Sequence, residues 1–383
     1  MSLSLKDLYR IMLLFRFFVA TLFAMVFMSP SWAYNYGQSA FSLQRYLDAN
    51  PNQQPLIEQL SVRVHSQPIP MSTSQSTTQK IAVVLRGSAD LPSNQAWIVA
   101  FKRRMQELNI DFRLDVFHVE GEADISLTLR TYKRIEAANF DYLIVDGVDG
   151  YNRPLLEGIL KHGEIKVLLL NAMAPFDAWR LHPPLMYIGI DSVKMIHRLA
   201  SYLERVLPAK SVVDIISTKE ASLNQRYCQI FVNEWNFLGR TARFSYQVAD
   251  QAESAYHAAT EVLDRSVDTL MAHFIFSCTP NIAQGVAQAI SERGASTATT
   301  NAWLGQESIS KASQDGIVMV TVLEMKDNVA IATAEAIKGD IESRLLPRIY
   351  MESSLMLTPE MDEQTRQMTF QQATPYSSAL WPR

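Results

Sequence analysis

Six polar or aromatic residues fall where strands are predicted to end or helices to open. Asp146 closes DYLIVDG, Asn171 closes KVLLLN, and Asn281 follows HFIFSCTP; Arg226 opens a helix in SLNQRYCQIF, Trp303 sits in NAWLG, and Glu324 in TVLEM. Asn and Asp offer paired donors and acceptors to the hydroxyls of a ring, Trp an apolar face, and Arg a fork for an anionic group. That is the chemistry of gripping a small polar ligand. Alone, Asn171 and Asn281 are as readily turn or cap residues, and Trp303 reads more as a core residue than as a stacking platform. Their recurrence at equivalent strand ends is what argues for a site.

The residues of catalysis are not arranged this way. GxSxG, HExxH, CxxC, GxxxxGKS/T and GxGxxG are all absent from the sequence. The histidines (His65, His118, His162, His182, His197, His257 and His273) are scattered, and none lies four residues from another as helical zinc ligands would. No catalytic residue, metal or cofactor is therefore expected, and the chain reads as a binder rather than an enzyme.

The chain has 383 residues, 48% hydrophobic and 19% charged, with net charge −4. That length suits two domains, each with its own core, and no basic field is present to hold a phosphate backbone, so nucleic acid is not an expected partner. At the N-terminus Lys6, Arg10 and Arg16 precede the apolar run FFVATLFAMVFM and then SPSWA. This reads as a secretory signal peptide cut after Ala33, since the run is shorter than the roughly 20 residues that span a bilayer. Residues 1–33 carry three cations and one anion, which leaves about −6 on an exported chain with no further membrane insertion. Cys228 and Cys278 are too few for a disulfide framework; one bridge is permitted, and two buried free thiols are the commoner outcome.

The elements that must position the site alternate along the chain. An N-terminal extension (residues 34–78) carries apolar residues at helical spacing in FSLQRYLDANP and PLIEQLSVRVH, then the polar linker STSQSTTQ. Strands are predicted at 81–85, 112–119, 141–147 and 166–171, with helices between them. After the Pro-rich break HPPLMYIGID the alternation resumes with strands at 212–217, 243–248, 273–278 and about 298–304. Two consecutive α/β halves imply two doubly wound, Rossmann-like lobes with a ligand cleft at the carboxyl ends of the strands. GIVMVTVLEM and DNVAIATAEAIKGDIE then read as a strand and a helix that return to the first half, making a multi-strand hinge. The boundaries expected are 79–180 plus 319–343 for the first lobe, and 181–318 plus 344–383 for the second.

The stretches YLDANPNQQPLIEQLSVRVHSQPIPMS, DYLIVD, LLLNAMAP, LMYIGID, FIFSCT and VAIATAEAIKGDIE resemble the LuxP-like autoinducer-2 receptors, within the ribose-binding-protein type of periplasmic binding proteins. The resemblance covers nearly all of the chain after residue 33. It implies a type I periplasmic binding protein fold with a helical N-terminal extension. It also implies a periplasmic receptor that closes on a small sugar-like signal, a borate diester in that family, and reports to a membrane-bound sensor kinase or other periplasmic sensor domain in quorum sensing. An alternative is the substrate-binding subunit of an ABC sugar importer. By motif, Asn171, Arg226 and Trp303 match ligand-contacting positions. In the loop after the first strand, Ser93, Asn94, Gln95 and Trp97 correspond only loosely, because the loop differs in length. Pro280 replaces a Thr, and Glu324 stands where the family places a second ligand-binding Arg. Because a borate diester is an anion, that exchange predicts a neutral sugar-like ligand, or a cationic one, unless Glu324 is neutralised by Arg226.

Overall fold

The computed structural model of the protein describes residues 43–119, 124–172, 174–219, 223–265, 271–304 and 315–381. The expected signal peptide and its cut after Ala33 lie outside the described residues. Two short helices come first, α1 (Leu43–Ala49) and α2 (Gln53–His65). They are followed by β1 (Gln79–Arg86), α3 (Pro92–Glu107), β2 (Phe112–Val119), α4 (Ile125–Ala137), β3 (Tyr142–Asp146), α5 (Arg153–His162), β4 (Lys166–Leu170) and β5 (Met186–Ile190). The second series is α6 (Ser192–Val206), β6 (Val212–Thr218), α7 (Leu223–Phe237), β7 (Ser245–Val248), α8 (Ala252–Asp264), β8 (His273–Ser277), α9 (Pro280–Arg293), β9 (Ala298–Trp303) and β10 (Val318–Glu324). Last come α10 (Lys326–Ile341), β11 (Ile349–Glu352), β12 (Ser354–Leu357) and α11 (Glu363–Ala373).

The strands form two six-stranded sheets, in the orders β11-β5-β4-β3-β1-β2 and β12-β10-β9-β8-β6-β7. Among the described residues every pairing is parallel except that of β12, which runs antiparallel along β10. Central strands such as Ile81–Leu85 are continuous apolar runs buried on both faces, as a parallel sheet covered by helices requires. Helix ends are set locally. Asp191 caps α6 by accepting from the Lys194 N–H at 3.0 Å, and Thr279 caps α9 by accepting from Ile282 at 3.1 Å with Pro280 at the first helical position. Gly285 lets α9 lie against α8, since a Cβ there would come within 2.1 Å of the Ala252 carbonyl oxygen.

The lobe boundaries differ from those read in the sequence. β5 pairs with β4 and β11, so residues 186–190 belong to the first sheet. β10 pairs with β9 and β12 and so belongs to the second sheet, while α10 packs on α3 in the first lobe. A five-residue strand after Pro-Pro carries too short an apolar run to distinguish a strand from a break. The chain therefore crosses three times, at Asp191, Met325 and Ser353. These crossings touch one another: the Asp191 N–H donates to the Glu352 carbonyl at 2.9 Å, and Ser353 Oγ lies 3.6 Å from Met325 Sδ.

The extension is part of this unit. Leu60 and Val64 of α2 are buried, each contributing about 1.5–3 kcal/mol by leaving water. Arg104 of α3, only 2% exposed, pairs with Glu335 of α10 at 2.7 Å and donates to the Arg63 carbonyl at 2.6 Å and the Ser66 carbonyl at 3.2 Å. Lys338 Nζ donates to the Ile69 carbonyl at 2.5 Å.

Candidate ligand-binding site

In open α/β sheets a ligand sits beyond the carboxyl ends of the strands, where the strand order reverses. Here the reversals lie between β1 and β3 in the first sheet and between β6 and β8 in the second. Asp146 is the last residue of β3 and Asn171 follows β4. Asn171 Nδ2 donates to Asp146 Oδ1 at 2.6 Å, and its backbone, at φ +56°, takes the left-handed conformation that Asn tolerates better than most residues. Beside them Gly147, at φ +74°, lies under the Arg86 guanidinium, which pairs with Asp149 at 3.0 Å.

The wall from the second lobe is built on Tyr227 of α7. Its ring stacks on Trp303, the last residue of β9, at 5.5 Å between centroids, and the Trp303 indole N–H donates to the Ser277 carbonyl at 2.9 Å. The Tyr227 hydroxyl donates to Glu324 Oε1 at 3.0 Å, and Lys326 pairs with Glu324 Oε2 at 3.1 Å. Arg226 precedes Tyr227, is half-buried, and has its pKa lowered by that burial. Cys228 and Cys278 are joined by a disulfide with Cα atoms 5.5 Å apart, so of the two states the sequence left open the bridge is the one formed.

The two groups gather at the carboxyl ends of the strands of the two sheets. Burial first, then the Glu324 carboxylate, hold the Tyr227 hydroxyl's pKa far above its ordinary value, and the charge of Asp146 adds to the effect. Of the residues singled out from the sequence, Asp146 bonds Asn171 at the strand ends of the first sheet, and Trp303 and Glu324 are joined through Tyr227 at those of the second, with Arg226 next to Tyr227 in the chain.

Three do not join them by their contacts. Asn281 is exposed in the first turn of α9 and donates to the Asp250 carbonyl at 3.1 Å. Asn94 is buried and clasps the loop after β1, donating to the carbonyls of Arg86 at 2.9 Å and Ser88 at 3.0 Å. Trp97 is buried and stacked on Phe101 at 5.0 Å, in the same hydrophobic core that holds Trp303 and Tyr227. In the same loop Ser93 is half-buried and Gln95 exposed. Tyr227 and Lys326 were not singled out. Their only signal was adjacency, to Arg226 and Cys228 for one and to Glu324 for the other. Lys326 is a cation at Glu324, a residue the sequence reading had not paired with it.

A cavity of about 490 Å³ lies at the opposite end of the second sheet, beside the first residues of β6 and β8. Its Arg243 and His273 are held by the buried Asp214, at 2.5 Å and 2.7 Å, and it is remote from the strand ends. Among the described residues no cluster could hold a metal ion, and no helix is long and apolar enough to cross a membrane.

No protein-family model matches the chain. Solved structures with the same fold include a periplasmic ribose ABC transporter protein of Conexibacter woesei DSM 14684, at TM-score 0.68 and 16% identity, over 79% of this chain and 100% of that one. A sugar ABC transport substrate-binding protein of Bordetella parapertussis 12822 superposes at TM-score 0.66 and 11% identity, over 84% and 98%. An ABC transporter periplasmic solute-binding protein of Actinobacillus succinogenes 130z with bound D-allose gives 0.62 and 16%, over 76% and 100%. The fold is that of the type I periplasmic binding proteins, with the helical extension added in front.

Proposed function

We propose that the protein is an exported, LuxP-like receptor of the ribose-binding-protein type, cut after Ala33 and acting in the periplasm. It closes around a small sugar-like ligand, autoinducer-2 or a related furanose, and reports to a membrane-bound sensor domain. The observation that supports this reading is the placing of two linked groups at the carboxyl ends of the two sheets: Asp146–Asn171 in one lobe, and Tyr227, Trp303 and Glu324 in the other. A stacked aromatic pair and hydrogen-bonded carboxylates suit a polyol, whose hydroxyls both donate and accept. The Glu324 carboxylate is offset by Lys326, so no net positive charge stands there to hold an anion, which favours an uncharged sugar over a borate diester.

The solved proteins with this fold are titled as transporter components, and that supports a second reading, the binding subunit of an ABC sugar importer. A firmly docked extension, held through the buried Arg104, favours a receptor, since delivery to a permease needs no such piece.

Calorimetric titration of the exported protein tests the reading, using D-ribose and the autoinducer-2 precursor with and without borate. Saturable binding of a sugar or of the unborated precursor is expected. Binding only in the presence of borate would restore an anionic ligand, and no binding of any of them would overturn the reading. Deletion of the gene should abolish a transcriptional response to the ligand; loss of growth on the sugar instead would identify the importer.

A further inference from the structure

Cys228 and Cys278 occupy a particular place in the second lobe. Cys228 follows Tyr227 in the first turns of α7, and Cys278 follows Ser277 at the carboxyl end of β8. Ser277 is fixed to the sheet by Asn301, which accepts from its N–H at 2.8 Å and donates to its carbonyl at 2.9 Å. The same carbonyl takes the Trp303 indole N–H at 2.9 Å. Trp303 in turn stacks on Tyr227. The disulfide therefore closes a ring of contacts: Tyr227 to Cys228, across the sulfurs to Cys278, through Ser277 to Trp303, and back to Tyr227. One turn further along α7 the Phe231 ring lies 3.7 Å from that of Phe276, so the body of the helix has its own anchor on β8. What the disulfide adds is a fixed position for the turn that carries Arg226 and Tyr227.

We propose that the Cys228–Cys278 disulfide is a positioning element of the ligand site, holding the Tyr227–Trp303 wall and the Tyr227 hydroxyl on Glu324 in their binding geometry. Ligand affinity then requires the oxidised protein. A bridge that served only as a staple would leave Trp303 in place when cut, because its indole is held by β8 and β9. The proposal predicts the contrary, since Tyr227 covers one face of that indole and moves when Cys228 is released. The ligand part of the proposal rests on the sugar-site reading; the placement of the wall does not.

The experiment compares three forms: the oxidised protein, the protein reduced with tris(2-carboxyethyl)phosphine, and the C228A/C278A variant. The reduced protein carries the test if the variant does not fold. Exchange of the Trp303 indole hydrogen is followed by nitrogen-15 labelling, with W303F to assign the signal. The indole of Trp179, which donates to Glu157 at 3.0 Å in the first lobe, serves as the internal control. Exchange at Trp303 should rise tenfold or more on reduction with Trp179 unchanged, and affinity for D-ribose or the autoinducer-2 precursor should fall at least tenfold. Unchanged exchange at Trp303, even with a lowered melting temperature, would reduce the bridge to a staple and overturn the proposal. So would an unchanged affinity. If neither sugar binds the oxidised protein, the sugar-site reading fails by itself, and Trp303 exchange alone decides whether the bridge positions the wall.

Discussion

The Tyr227 hydroxyl donates to Glu324 Oε1 at 3.0 Å and so ties the first turns of α7 to the last residue of β10, where the chain leaves the second sheet for the hinge. Tyr227→Phe keeps the stack on Trp303 and removes only this bond. A hydrogen bond to a charged group is worth about 1.5–3 kcal/mol, so a melting temperature lower by several degrees is expected, with sugar affinity weakened. Glu324→Arg should make binding of the autoinducer-2 precursor borate-dependent, because it exchanges a carboxylate for a cation beside Lys326. Thermal-shift titrations with and without borate read both effects.

Asn171 serves two ends that substitution can separate. Asn171→Gly keeps the left-handed backbone at φ +56° and loses the bond to Asp146, whereas Asn171→Ala loses the bond and adds strain. A left-handed non-glycine residue costs about 1–2 kcal/mol. The Ala variant should thus melt lower than the Gly variant in differential scanning calorimetry, while both lose ligand affinity alike.

The extension is held by a buried ion pair, Arg104–Glu335, with both side chains at most 3% exposed. Removing one member of such a pair typically costs about 3–5 kcal/mol, because the other charge is left uncompensated. Arg104→Met also strips the donors from the Arg63 and Ser66 carbonyls. It should open residues 66–79 to limited proteolysis, and R104M/E335L should be more stable than R104M in urea melts.

The last turn of α2 meets the hinge through His65 and Glu352, 3.4 Å apart. The bond to Glu352 raises the His65 pKa, burial opposes it, and the Ser61 carbonyl at 2.8 Å helps. Burial raises the Glu352 carboxyl, but bonds from His65, the Ser353 N–H and Tyr350 outweigh it, and the net shift is downward. A raised His contributes fully below its unfolded value of about 6.5 and fades as pH rises; a depressed Glu contributes fully above its unfolded value of about 4.3 and fades as pH falls. The stabilisation is therefore complete between about pH 4.3 and 6.5. The gap in melting temperature between the protein and His65→Ala should be widest in that window and narrow at pH 8.

Much of the fold was legible because the central strands are unbroken apolar runs separated by helical periodicity, as in IAVVL and DYLIVDG. β5, β11 and β12 were not, since strands of four or five residues near prolines carry no period of their own, and their place is decided by pairing with distant strands. The candidate site was half legible. Asp146, Asn171, Trp303 and Glu324 sit at strand ends, and strand ends can be read from sequence. Tyr227 lies inside a helix and becomes part of a wall only because the Cys228–Cys278 link and the Trp303 stack place it there. Asn94 and Asn281 have the residue type of ligand contacts, yet their amides are spent on neighbouring backbone carbonyls.

The central claim is that one small sugar-like ligand is held between Asp146–Asn171 and the Tyr227–Trp303–Glu324 wall. Backbone hydrogen exchange of the exported protein, with and without saturating D-ribose or autoinducer-2 precursor, tests it most directly. The account predicts that one of these slows exchange in both lobes at once, around residues 146–149 and 171–172 and around 226–228, 303–304 and 324–326. Protection confined to one lobe, protection at the far ends of the sheets, or no protection with any of the ligands would contradict it.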